Sequence, residues 1–338
     1  MGNNTSRILI ETIVKNTLRD IKDSPERSTR NLVDMALHFS EGRFQRDFFK
    51  VAQTMLKNDN SPYYYLIQDT VQNVNTEKLL QFGMNLGYNS CTVGAKKIRE
   101  IEEKEQYNIP WIISFHLCTQ QFLHNQESYH SVISDGESLG IHAWMLSVPS
   151  LPHEVLPLIQ DHPDSAFALF CTPQEITMSF LETASDINNL MLVIQYEDDI
   201  ADVCNQLREM GLLYSIYYPY TQDDIDLITS GDLFCSIEQL HPVATMLVAV
   251  PGCPVDVKQE IYEYAKQARE QQLFHTIIWE TTYDSITVDN IISSESCLAG
   301  FDSSGQLITL QGYKESDYFN CMKNSLENIL KQAFPKKL

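Results

Sequence analysis

The sequence has no long apolar run and few basic residues, and these two absences limit the classes of function. No run reaches the ~18 residues that a membrane-spanning helix needs, and the residues from Met1 to Arg7 lead into a polar-interrupted helix instead of a signal peptide. Only 24 Lys and Arg stand against 45 Asp and Glu, which gives an acidic chain with a net charge of −21. A surface that follows a phosphate backbone needs clustered basic residues. The sequence therefore predicts a cytoplasmic protein with no membrane span and no nucleic-acid partner.

Closely spaced metal ligands are also lacking. The nearest two of the eight cysteines, Cys235 and Cys253, are 18 residues apart, whereas metal-binding loops usually place two thiolates within one short turn. Disulfides are rare in cytosolic proteins, so we expect free thiols. Five histidines between His124 and His162 cluster loosely, but no two are four residues apart, the spacing that puts two imidazoles on one helix face. The sequence therefore predicts no metal site.

The first third of the chain has the periodicity of helices. A length of 338 residues corresponds to about two domains. Apolar residues recur at helical spacing up to about residue 106, and Ser24-Pro25-Glu26 has the capping serine, early proline and acid that are typical of a helix start. These patterns predict an all-helical N-terminal extension over residues 1–106.

From Ile109 onward, short apolar runs alternate with helical segments about every 25 to 30 residues, as in a sheet of βα units. Six units are fewer than the eight of a closed barrel. We therefore predict an α/β fold, a partial (β/α)6 TIM-like barrel over residues 107–312 that ends in a hairpin turning at Ser303-Ser304-Gly305. A C-terminal helix follows in residues 313–338, over Ser316–Phe334. Seven strands are expected, at Trp111–Leu117, His142–Leu146, Ala166–Phe170, Leu190–Ile194, Leu213–Tyr217, Thr245–Val250 and Thr276–Trp279.

Five strings of residues, in order along nearly the whole chain, carry a resemblance to a known family. They are Phe82–Ser90, Gly94–Arg99, Ile109–Trp111, Gly136–Ile141 and Cys297–Gly300. In this order the chain resembles a subgroup of radical S-adenosylmethionine enzymes in which a helical extension precedes the barrel. The resemblance implies the fold, since the matched strings belong to the scaffold and not to the chemistry.

The residues that would carry the chemistry of that family are missing. The family holds a [4Fe–4S] cluster with a Cys-x3-Cys-x2-Cys loop after the first strand, and here Phe122 and Asn125 stand four and seven residues after Cys118. Neither side chain replaces a soft thiolate. The Gly-Gly-Glu-Pro-like turn after the second strand is replaced by Ser147–Ser150, and the closing proline-cysteine by Leu310-Gln311. We therefore expect a member of the fold without the iron–sulfur cluster.

Ligand-binding groups of a βα barrel lie at the C-terminal ends of its strands. No P-loop and no nucleophile-elbow motif occurs, so we assign no catalytic residue. Each strand-end residue also has a structural interpretation: His116 as a hydrogen-bonded core histidine, the cysteines as packing thiols, and Glu280 as a helix cap or ion-pair partner. The candidate ligand-binding residues at the barrel mouth are His116, Cys118, Ser147, Cys171, Gln195, Tyr218 and Glu280.

Two functions follow as hypotheses. The first is a pseudoenzyme, a non-redox binding or regulatory protein whose small-molecule ligand or protein partner the sequence does not name. The alternative is an enzyme that uses S-adenosylmethionine or another small ligand at the barrel mouth, either without iron or with an atypical cluster. Such a cluster would need dispersed thiols such as Cys118, Cys171 and Cys253.

Overall fold

A computed structural model describes residues 2–38, 43–293 and 295–336 of the chain. Helices fill the part before the first strand, as the periodicity predicts. One of them begins at Pro62, and the side chain of the preceding Ser61 accepts a hydrogen bond from the Tyr63 amide. A π-helix over Met84–Gly94 lies between the last two of them. The α-helices are α1 (Gly2–Ile21), α2 (Pro25–His38), α3 (Arg43–Met55), α4 (Pro62–Asn73), α5 (Thr76–Gly83) and α6 (Ala95–Glu105).

The strands that follow belong to one sheet in the order β10-β9-β8-β1-β2-β3-β4-β5-β6-β7. β1 pairs in parallel with both β2 and β8, whereas β8, β9 and β10 pair antiparallel. The strands are β1 (Ile112–His116), β2 (Ala143–Ser147), β3 (Ala166–Cys171), β4 (Leu190–Gln195), β5 (Tyr214–Tyr220), β6 (Ala244–Ala249), β7 (Ile277–Glu280), β8 (Ala299–Phe301), β9 (Leu307–Thr309) and β10 (Gly312–Tyr313).

Helices alternate with these strands. All seven strands expected from the sequence are present, and the predicted fold, a partial TIM-like barrel with a helical extension, is confirmed. β8 and β9 form the hairpin expected around Ser303–Gly305. The helices are α7 (Thr119–His124), α8 (Gln126–Leu139), α9 (Leu156–Gln160), α10 (Met178–Ser185), α11 (Ala201–Glu209), α12 (Ile225–Thr229), α13 (Asp232–Glu238), α14 (Val255–Gln271), α15 (Thr281–Ile292) and α16 (Leu326–Ala333).

The C-terminal helix is shorter than expected. It begins at Leu326 and not near Ser316, because Ser325 caps its N-terminus by accepting a hydrogen bond from the Asn328 amide. Ser316 instead accepts a bond from the Tyr318 amide and starts a separate 3₁₀ turn. Within the described ranges, no helix combines the length and the apolarity that crossing a bilayer requires.

The chain divides into two compact units. The first unit contains residues 1–80 and 192–284, and the second contains residues 81–191 and 285–338. β4 contributes Leu190 and Met191 to the second unit and its remaining residues to the first. The sequence-based division at residues 106 and 312 stays a prediction.

In the first unit, helices of the N-terminal extension contact helices that follow the strands. Arg208 of α11 makes a bidentate ion pair with Asp69 of α4, at 2.8 and 2.9 Å. The Tyr63 hydroxyl donates to the Arg269 carbonyl oxygen of α14, at 3.2 Å. Bidentate pairs and side-chain bonds to backbone oxygens fix orientation. Residues 1–80 of the extension are therefore an integral part of this unit.

In the second unit, the strings that carry the family resemblance build the scaffold. The Asn85 amide donates to the carbonyl oxygens of Pro163 and Ser165, each at 2.8 Å. A Cβ atom at Gly94 would lie 2.2 Å from the carbonyl oxygen of Gly140, whose φ is +103°. Only glycine permits this close approach and this backbone conformation at low cost. Asn85, Gly94 and Gly140 thus serve the packing of this unit.

Candidate ligand-binding site

In the second unit, β1 and β2 have one face against helices and a second, open face that is partly accessible, whereas β3 is buried on both faces. On the helix face, Phe115 stacks on Trp144 with ring centroids 5.9 Å apart and meets Tyr129 of α8 edge-on at 5.4 Å. Side chains alternate along a strand, so the neighbours of Phe115 face the other way. His116 on this open face is exposed, and Ser114 beside it in sequence is half-buried.

His116 and Ser147 are register partners at the ends of β1 and β2. Ser147 is half-buried, so both side chains are accessible on the open face. Desolvation lowers the pKa of His116, and the charge of Asp302 after β8 acts in the opposite direction. A neutral imidazole can donate one hydrogen bond and accept one, and a hydroxyl can do the same. This pair is suited to a small polar ligand.

The two cysteines predicted at this mouth differ in position. Cys118 is half-exposed and caps α7, since its carbonyl oxygen accepts from the Phe122 amide at 2.8 Å. Cys171 is 1% exposed, and Leu169, two residues before it, pairs with Leu146 on the helix face. Burial raises the pKa of the Cys171 thiol. Cys171 therefore lies on the helix face, away from the face that carries His116.

In the first unit, strand alternation also separates the predicted residues. Gln195 and its register partner Tyr217 lie on the same face, and the Tyr217 hydroxyl donates to Gln195 Oε1 at 2.9 Å. Tyr218 lies on the opposite face and donates to Asp224 Oδ1 at 2.8 Å. Burial, with this bond and the Asp224 charge, raises the pKa of Tyr218 to about 12. Glu280 shares the face of Tyr218, because both flank Leu247 in register.

Glu280 is fully buried and caps α15. Its Oε2 accepts a hydrogen bond from the Tyr283 amide at 2.6 Å, and its Oε1 accepts one from the Tyr220 hydroxyl at 3.0 Å. Its own amide donates to Asp284 Oδ2 at 2.9 Å. Burial raises the pKa of Glu280 to about 7 in spite of these bonds. The structural interpretation of this residue as a helix cap is thus the arrangement observed.

Comparison with known proteins gives similarity in structure alone. No protein-family model matches the chain, and no curated protein matches it in sequence. SuiB from Streptococcus suis bound to the precursor peptide SuiA is 12% identical, with a TM-score of 0.50 over 76% of this chain and 70% of that one. SuiB bound to S-adenosylmethionine is 11% identical, with a TM-score of 0.47 over 87% of this chain and 79% of that one. HemN from Escherichia coli, a radical SAM enzyme, is 12% identical, with a TM-score of 0.31 over 51% of this chain and 55% of that one.

The chain has a radical-SAM-like fold. The sequence resemblance to this group is confirmed at that level. At identities this low, structural similarity establishes the fold alone. The activity of the chain has to be argued from its own residues.

The segment after β1 does not fit the cluster of radical SAM enzymes. Phe122, four residues after Cys118, is 2% exposed, and its ring centroid lies 5.3 Å from that of Tyr129. Asn125, three residues further, donates from Nδ2 to the Gln121 carbonyl oxygen at 2.8 Å. A [4Fe–4S] cluster requires thiolate ligands, and one thiol, an aromatic ring and an amide do not supply them.

No group of three or more His, Cys, Asp or Glu side chains in the described residues is placed to hold a metal ion. The seven predicted residues stay predictions as ligand contacts. Sequence reasoning put them all at one mouth because each follows a strand, and it did not separate the two faces. It also left out Ser114 and Asp302, of which the first follows from period-2 counting along β1.

Proposed function

We propose that this protein is a radical-SAM-like pseudoenzyme, a cytoplasmic non-redox protein that binds a small polar ligand without a [4Fe–4S] cluster. One observation carries the proposal: Phe122, at the position of a cluster thiolate, is buried against Tyr129. The accessible polar pair His116 and Ser147 remains at the adjacent strand ends. A scaffold with a packed segment in place of the cluster loop and an accessible polar patch supports binding without radical chemistry.

The proposed ligand contacts are His116, Ser147 and Cys118 of the second unit. Gln195 with Tyr217 is a separate polar patch of the first unit. Cys171, Tyr218 and Glu280, on the opposite faces, hold the scaffold. SuiB was solved with a precursor peptide and with S-adenosylmethionine, so peptides and adenosyl compounds belong among the ligands to test.

A thermal-shift screen of polar metabolites and short peptides tests the binding role. A ligand that binds only the native state raises the unfolding midpoint. We expect at least one compound to raise the midpoint of the wild type and to have no effect on His116→Ala and Ser147→Ala. Ser185→Ala, away from the strand ends on α10, is the control that keeps the shift. A screen without any stabilising compound contradicts the binding role.

S-adenosylmethionine in the same assay separates the proposal from the alternative enzyme. We expect no midpoint shift at millimolar concentration, because the family binds the amino and carboxylate groups of this cofactor through the open iron of its cluster. A shift that disappears in His116→Ala would instead favour an enzyme that uses the cofactor at these strand ends.

A further inference from the structure

Two histidines of the second unit lie in direct contact, away from the strand ends. His130 on α8 and His162 in the segment after α9 stack with ring centroids 5.3 Å apart and planes inclined by 30°. Nδ1 of His130 is 3.2 Å from Nε2 of His162. The two residues are 32 positions apart in the sequence, so no local spacing indicates their meeting.

A carboxylate faces the outer nitrogen of each ring. Glu137 Oε2 is 3.4 Å from His162 Nδ1, and Asp161 Oδ2 is 3.9 Å from His130 Nε2. Glu137 is held in place by the Ser165 hydroxyl, which donates to its Oε1 at 2.7 Å. A carboxylate at one ring nitrogen favours a proton there and leaves the other nitrogen with a free lone pair. The two facing nitrogens, Nδ1 of His130 and Nε2 of His162, are thereby left to share one proton or to bind a cation.

At 3.2 Å, either one of these two nitrogens donates an N–H to the other, or a metal ion takes the place of that proton. Nitrogen ligands of a tetrahedral zinc ion, at ~2.0–2.1 Å from the metal, are ~3.3–3.4 Å apart, which is close to this spacing. Neutral imidazole nitrogens suit zinc, copper and nickel.

The local structure holds the pair in place and leaves one side open. Asn189 Nδ2 donates to the carbonyl oxygens of Ile159, His162 and Ser165 at 3.0–3.1 Å. These bonds fix the backbone on both sides of His162. The side chain of His162 is 7% exposed and that of His130 is 33% exposed. An ion can thus reach the facing nitrogens from solvent.

We propose that Nδ1 of His130 and Nε2 of His162 bind one divalent transition-metal ion, with Glu137 and Asp161 orienting the two imidazoles. Water completes the coordination, since the described residues offer no third ligand group. The site shares no residue with the proposed ligand contacts, so it stands or falls independently of the proposed function.

Isothermal titration of the tag-free full chain with Zn²⁺ tests the site. We expect His130→Ala to raise the Kd of the one-equivalent Zn²⁺ site by at least about tenfold. Glu137→Gln, which removes an orienting carboxylate, is expected to raise it by about 10–100-fold. His124→Ala is the matched control, because His124 is exposed and its Nδ1 contacts only the Gln120 carbonyl oxygen. All variants keep the eight cysteines, so zinc bound by thiols is a constant background.

Electron paramagnetic resonance of one equivalent of Cu²⁺ gives a second readout. We expect hyperfine coupling from two nitrogens in the wild type and in His124→Ala, and the loss of one nitrogen in His130→Ala. The proposal is overturned if the wild type binds no ion, as a proton shared between the rings predicts. It is equally overturned if His130→Ala, a change at a partly exposed side chain, binds like the wild type.

Discussion

Replacing Phe122 by alanine lowers the free energy of unfolding by about 3–5 kcal/mol. The ring is 2% exposed and lies against Tyr129, which in turn meets Phe115 edge-on at 5.4 Å. Removing it takes buried apolar area from the core and leaves a cavity that fixed strands cannot fill. Urea denaturation followed by circular dichroism measures the change.

Leu123→Ala is the matched control for this variant. Leu123 is the next residue on α7 and is 44% exposed, so its truncation is expected to cost no more than about 0.5 kcal/mol. Equal, small effects of the two variants would contradict the account, because they would mean that the segment after β1 is not packed. Such a segment could still rearrange into a cluster-binding loop.

Asp289 makes the stability depend on pH in the opposite sense to most carboxyl groups. It is fully buried, and its oxygens accept from the Trp111 amide at 3.0 Å and the Cys297 amide at 3.3 Å. Burial, with the charge of Glu102, raises its pKa to about 7 from 3.8. The native state therefore holds a proton that the unfolded state releases. The contribution of protonated Asp289 to the free energy of unfolding is fully present below about pH 4 and is lost as the pH rises through about 7.

Asp289→Asn tests this linkage, because it removes the titratable proton. The variant is expected to be less stable than the wild type near pH 4, because its amide nitrogen cannot accept from the Cys297 amide, and to gain on the order of 4 kcal/mol relative to the wild type by pH 8. Asp186→Asn, at an exposed position after α10, is expected to keep the pH profile of the wild type. A difference between Asp289→Asn and wild type that does not change with pH would show that Asp289 is ionised throughout.

Local patterns predicted the fold well because burial in a βα sheet leaves a strong signature. Runs such as Ala166–Phe170 and Leu190–Ile194 are continuous and apolar because both of their faces are buried, as expected for parallel strands. Ser24-Pro25-Glu26 marked the start of α2 correctly because the cap depends on adjacent residues. The C-terminal helix was placed ten residues early, since Ser316 and Ser325 both have capping chemistry and sequence does not rank them.

The environments of the candidate site residues were harder to predict because they depend on register and on distant contacts. Cys171 ends a strand as His116 does. The register partner of Ser147 on β3 is Phe170, so Cys171 lies one residue beyond it and faces the helices. Glu280 is an acid at the end of a strand, as a ligand-binding residue would be. The bond that it accepts from the Tyr283 amide at 2.6 Å shows that it caps a helix. His130 and His162 meet through the packing of α8 and the segment after α9, which no spacing rule encodes.

The iron and acid-labile sulfide content of anaerobically purified and reconstituted protein tests the central claim most directly. The account predicts substoichiometric iron, no visible charge-transfer band, and no change in either value when Cys118 is replaced by serine. One [4Fe–4S] cluster per chain that is lost in Cys118→Ser would contradict it, since a cluster would then form despite Phe122 and Asn125.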